Sequence, residues 1–123
     1  QIVHHNAALV PLTKANRDFW DVNVNGTQIV ANAAKKCEIE TFIHMSSSAI
    51  YGKDSEMAID NNTIPIPCEK YGESKLAGEN VAEEALSNSS TKLIVIRPRT
   101  ILGKGRLGIF QANISKTQIL IVL

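Results

Sequence analysis

Residues 41–48 read Thr-Phe-Ile-His-Met-Ser-Ser-Ser. The first five form a short apolar run that reads as a buried strand, and it passes without a turn residue into three consecutive hydroxyls. Upstream, from about Asn16 to Lys36, the apolar residues Phe19, Trp20, Val22, Val24, Ile29, Val30, Ala33 and Ala34 recur mainly at three- and four-residue steps. That spacing predicts a helix with one buried face. Gly26 weakens this helix by roughly 1 kcal/mol against alanine, and its presence there suggests close packing. Further upstream, Ile2 to His5 is another short strand, ending at the small residues Asn6-Ala7-Ala8.

Downstream, residues 52–69 carry Gly52, Asp60-Asn61-Asn62, Pro65 and Pro67 and read as loop. A second helix is expected from about Glu69 to Leu86, closed by Ser87-Asn88-Ser89-Ser90. Lys92 to Ile96 is a third strand, followed by Arg97-Pro98 and a Gly103-Lys104-Gly105 turn. A short helical stretch around Ile109 to Ser115 precedes a final apolar run. Continuous apolar strands alternating with helices indicate a parallel sheet covered on both faces. The fold class is therefore α/β, part of a Rossmann-like sheet with flanking helices.

Composition sets outer limits. At 123 residues and 44% hydrophobic content the chain can bury a core. Thirteen basic against twelve acidic side chains leave a net charge of +1, which gives no electrostatic case for nucleic acid or a membrane surface. Cys37 and Cys68 match neither a CxxC nor a zinc spacing and read as reduced thiols of a cytoplasmic protein. Ile119 to Leu123 is far below the ~20 apolar residues that cross a bilayer. Gln1 opens a strand already under way and the last residues close on an uncapped apolar one, so a piece of a longer protein is expected.

Ligands of open parallel sheets sit beyond the carboxyl ends of the strands, so the chemistry is sought there. Asn6-Ala7-Ala8 would let a ligand approach the backbone, although taken alone it reads as tight strand-to-helix packing. The serine run after the second strand is consistent with plain turn chemistry. Tyr71-Gly-Glu-Ser-Lys75 is more pointed. A Tyr and a Lys four apart share one helix face, and a nearby ammonium favours the phenolate form that can act as a base. The plainer alternative is a surface helix carrying both. His4, His5 and His44 have no carboxylate or cysteine at ligand spacing and read as packed or surface histidines, so no metal site is expected. Phe19 and Trp20 read as core. Asn25-Gly-Thr27, Asn61-Asn-Thr63 and Asn113-Ile-Ser115 fit the glycosylation sequon only as composition.

Together, Phe42-Ile-His-Met-Ser-Ser-Ser-Ala-Ile-Tyr-Gly52, Tyr71-Gly-Glu-Ser-Lys-Leu-Ala-Gly-Glu79 and Ile96-Arg-Pro98 resemble the extended short-chain dehydrogenase/reductases, the NAD-dependent epimerase/dehydratase family. Val3-His-His-Asn-Ala-Ala8 and Asn23-Val-Asn-Gly-Thr27 match the same family in the same order. The resemblance implies Tyr71 as catalytic acid/base, Lys75 as its pKa-lowering, ribose-binding partner, and Ser47 as catalytic hydroxyl, four residues before Tyr51. A one-residue slip would choose Ser46 or Ser48 instead. It implies cofactor contacts at Asn6, Ala7, Ala8, Ser46, Pro98 and Arg99, and at Asn23 through contact or through structure alone. Substrate contacts are implied at Ser47, Ser48 and Thr100.

The resemblance further implies residues 1–108 as the second half of an NAD(P)-binding domain, without its Gly-rich loop. Residues 109–123 would open the substrate-domain region or add a sheet element. The cofactor implied is NAD, with NADP left open, and the substrate a nucleotide sugar. A homodimer through helices like these two follows by analogy alone. Sugar-nucleotide dehydratases place Asp-Glu where Ser48 and Ala49 stand, and neither can act as a general acid or base at neutral pH. Epimerisation is thus the leading expectation. An alcohol/ketone dehydrogenase of the hydroxysteroid or dihydroflavonol type is second, and a non-catalytic NAD(P)-binding relative third.

Overall fold

The computed structural model describes residues 1–11, 18–52 and 58–101. The expected turn at Gly103–Gly105, the helix around Ile109 and all of residues 109–123 lie outside the described residues, as do Asn16 and Arg17 at the expected helix start. Strand β1 is Ile2–His5, β2 is Thr41–Met45 and β3 is Lys92–Ile96. Between β1 and β2, helix α1 (Asp18–Trp20) continues through a π-helical segment, Asp21–Gly26, into α2 (Thr27–Lys36). Between β2 and β3 come a 3₁₀ turn, Ser48–Tyr51, and helix α3 (Lys70–Leu86). Ser87 Oγ donates to the Glu84 carbonyl at 2.9 Å and Ser89 Oγ to that of Leu86 at 2.8 Å, so the serine run occupies carbonyls that the ending helix frees.

The three strands are parallel in the order β1-β2-β3. Val3, Phe42 and Leu93 stand in register, as do His5, His44 and Val95. Strand alternation puts both rows on one face. Phe42 is fully buried among Ala31 and Ala34 of α2 and Ala82 and Leu86 of α3, with Val3 and Leu93 packed against the cluster. Among the described residues both helices therefore cover the same face of the parallel sheet. Two right-handed crossovers stepping the same way along a sheet leave their helices on one side. The opposite row stays more open, with Ile2 66% exposed and Ile96 38% exposed.

Close packing falls elsewhere than at Gly26. A Cβ there would meet nothing nearer than 3.7 Å, whereas one on Gly78 would lie 2.6 Å from the Asn23 carbonyl oxygen. The contact between α3 and the π-helical segment thus depends on Gly78. Phe19 is buried, as expected, but Trp20 is 44% exposed and is not core. His5 and His44 are packed and His4 is at the surface. Among the described residues no group of His, Cys, Asp or Glu could hold a metal ion, and no helix is long and apolar enough to cross a membrane.

Candidate active site

The serine segment continues the sheet beyond β2. Ser46 N–H donates to the Ile96 carbonyl at 2.8 Å, and Ser48 N–H to that of Pro98 at 3.0 Å. Between them Ser47 remains extended, and its Oγ accepts from Ala49 N–H at 3.2 Å, capping the 3₁₀ turn. Ser46 is 4% exposed and its hydroxyl has no partner among the described residues.

Helix α3 brings the other two groups. Tyr71 lies in its first turn with the ring against Phe19, centroids 5.9 Å apart. Lys75 follows one turn later and is 2% exposed. Its Nζ donates to the carbonyl oxygen of Met45, the last residue of β2, at 2.6 Å. Burial brings the Lys75 pKa down to about 8, against a smaller upward pull from the Glu79 carboxylate.

These groups share one cleft of about 550 Å³. Asn6, Ala8 and Val10 line it from beyond β1, and Met45, Ser46 and Ser47 from the end of β2. Tyr71 and Lys75 line it from α3, and Pro98, Arg99 and Ile101 from beyond β3. It lies at the carboxyl ends of all three parallel strands, where open α/β sheets bind ligands. No acidic side chain is among these lining residues, and two cations are.

Four of the residues singled out from sequence do not line this cleft. Ala7 lies exposed between two that do, and Thr100 is exposed. Ser48 contributes its backbone N–H to Pro98. Asn23 is 1% exposed, and its amide is committed elsewhere. Oδ1 accepts from Leu9 N–H at 2.8 Å, while Nδ2 donates to the Leu9 carbonyl at 3.1 Å and to Ser74 Oγ at 3.0 Å. Asn23 thus ties the segment beyond β1 to the helix of Tyr71 and Lys75. Val10, Met45 and Ile101 were not foreseen in the lining. Their apolar side chains carry no local signal that separates a cleft wall from core.

The set suits a dinucleotide. Small side chains at Ala8 and Ser46 leave room near the backbone, the Ser46 hydroxyl is unpaired among the described residues, and Lys75 has used one of three ammonium donors on Met45. Hydroxyl, phenol and ammonium groups are what ribose hydroxyls can pair with.

Comparison with known proteins gives concordant results. Residues 1–120 match the NAD dependent epimerase/dehydratase family. The chain is 36% identical over 92 residues to an Escherichia coli O157:H7 N-acetyl-alpha-D-glucosaminyl-diphospho-ditrans,octacis-undecaprenol 4-epimerase, covering 73% of this chain and 28% of that one. It is 33% identical over 109 residues to the decarboxylating sterol-4-alpha-carboxylate 3-dehydrogenase of Saccharomyces cerevisiae, covering 85% and 31%. The UDP-glucuronic acid 4-epimerase of Bacillus cereus, solved with NAD, superposes with a TM-score of 0.70 at 31% identity, covering 78% of this chain and 31% of that one. The chain spans less than a third of the length of these proteins. With the family matched over nearly its whole length and the parallel-sheet cleft in place, the chain belongs to the NAD-dependent epimerase/dehydratase family.

Proposed function

We propose that the protein containing this chain is an NAD-dependent epimerase-type oxidoreductase acting on a nucleotide sugar. The observation that carries the reading is the convergence of Ser47, Tyr71 and Lys75 on one cleft at the strand ends. In this reading Tyr71 accepts the proton of a substrate hydroxyl as that carbon is oxidised, and returns it when the carbon is reduced again. Ser47 donates a hydrogen bond to the oxygen as it becomes a carbonyl. Lys75 holds its charge beside Tyr71 and, with Ser46, Asn6, Ala8, Pro98 and Arg99, would hold NAD. The cofactor, when bound, accepts and gives back hydride, while the protein supplies position and field. Ser48 and Ala49 offer no acid or base for removing water, so epimerisation is favoured over dehydration.

The similarity to the sterol-carboxylate 3-dehydrogenase supports a second reading, an alcohol dehydrogenase that uses the same three residues but releases the reduced cofactor. Supplying the full-length protein with NAD and, in turn, UDP-glucose and UDP-glucuronic acid separates the two. Appearance of the C4 epimer without accumulation of NADH is expected. Formation of NADH in step with a ketone product would replace the epimerase by the dehydrogenase.

A further inference from the structure

Glu79 lies one turn beyond Lys75 on the same face of α3 and is only 6% exposed. A carboxylate so buried is costly unless it is paired and hydrogen-bonded. Its partner is Arg97, the first residue after β3. Nε–H donates to Oε1 at 3.1 Å and Oε2 at 3.3 Å, and Nη2–H donates to Oε2 at 2.7 Å. The same guanidinium reaches further, with Nη1–H donating to the Tyr51 hydroxyl at 2.7 Å.

One planar group thereby joins three pieces of the molecule. Tyr51 closes the turn that Ser47 caps, Arg97 precedes the lining residues Pro98 and Arg99, and Glu79 shares a helix with Tyr71 and Lys75. None of Glu79, Arg97 or Tyr51 lines the cleft. We infer that the Glu79–Arg97–Tyr51 chain is a positioning device that sets the Ser47 hydroxyl against Tyr71 and Lys75. The inference rests on the reaction proposed above.

A fork of fixed geometry suits this task, because it orients both partners at once. The carboxylate has a second effect. Lys75 faces His5 of β1, His44 of β2, and Tyr71 and Glu79 on its own helix, with Arg99 sharing the cleft. The Glu79 carboxylate draws the lysine toward its charged form. Losing the Glu79 charge releases the Lys75 proton at lower pH.

The test uses full-length Tyr51→Phe and Glu79→Gln. Its readouts are the first-turnover rate of nucleotide-sugar oxidation against pH, Lys75 titration by NMR on labelled lysine, and amide exchange over residues 46–51. Tyr51→Phe should slow the first turnover on the order of tenfold through misplacement of Ser47, leave KM and the Lys75 titration in place, and speed amide exchange over residues 46–51. Glu79→Gln should slow turnover comparably and move both its alkaline decline and the Lys75 titration down by at least about half a pH unit. If Glu79→Gln does not fold, Arg97→Lys, which gives up the fork, should reproduce the Tyr51→Phe behaviour. Wild-type turnover and unchanged Lys75 titration in these variants would overturn the inference. A wild type that oxidises no nucleotide sugar would count against the proposed reaction alone. Amide exchange in Tyr51→Phe and Lys75 titration in Glu79→Gln would then decide the positioning role, and no change in either would overturn it.

Discussion

The Lys75 ammonium stands 2.6 Å from the carbonyl oxygen of Met45, so the helix carrying the lysine is fastened to the end of the strand that delivers the serines. Lys75 itself is buried, and burial has a cost. The lysine holds its proton in the folded protein only up to about pH 8, against about 10.5 for the free side chain. Below pH 8 both states are charged and the folded state bears the whole desolvation penalty. Between about pH 8 and 10.5 the unfolded chain binds the extra proton, so stability rises with pH in that window. Relative to Lys75→Met, the wild type should gain roughly 3 kcal/mol across it, read by denaturant titration at each pH. Turnover should fall above about pH 8 as the ammonium is lost, in the opposite sense to stability.

His44 makes the complementary case on the acid side. It is 1% exposed, neither ring nitrogen has a partner among the described residues, and it stacks on His5 with centroids 5.6 Å apart. Burial first, then the Lys75 and His5 charges, bring its pKa down to about 3. A histidine depressed in this way contributes stability above about pH 6.5 that is lost as pH falls toward 3. His44→Phe, close in shape, removes that liability. Its stability relative to wild type should improve by about 2 kcal/mol between pH 7.5 and pH 5. His5 is depressed by the same causes, burial before Lys75, and remains in the variant, so some acid sensitivity should persist.

Asn23 is the residue whose role the sequence left open and the structure fills. Asn23→Ala should leave the part-buried Leu9 backbone groups short of partners and remove the donor to the buried Ser74 hydroxyl. A loss of about 2–4 kcal/mol is expected from the several bonds removed. Because Leu9 sits between the lining residues Ala8 and Val10, NAD affinity should fall as well. Asn23→Asp, which keeps the acceptor for Leu9 N–H and loses the donor, should fall between the two in calorimetric titration with NAD.

The strands were legible because each is a short, largely apolar run, and Ile2–His5, Thr41–Met45 and Lys92–Ile96 appear where the pattern puts them. That Tyr71 and Lys75 share one helix was legible from the sequence pattern, whereas Ser47 was singled out by the family resemblance alone. That the two described helices fall on the same face was not, because it follows from the sense of two crossovers and not from any residue. Nor was the close approach at Gly78, since Gly26 and Gly78 look alike in sequence and differ only in what stands opposite them. The Glu79–Arg97 pair joins residues eighteen positions apart, and no local periodicity connects them.

In the proposed reaction the Tyr71 hydroxyl takes and returns the substrate proton. Tyr71→Phe keeps the ring against Phe19 and removes only the oxygen. Its rate of nucleotide-sugar interconversion in the full-length protein should drop on the order of 10²–10⁴-fold, with the fold and NAD binding retained. Turnover within a few-fold of wild type would contradict the assignment of Tyr71 as the acid/base.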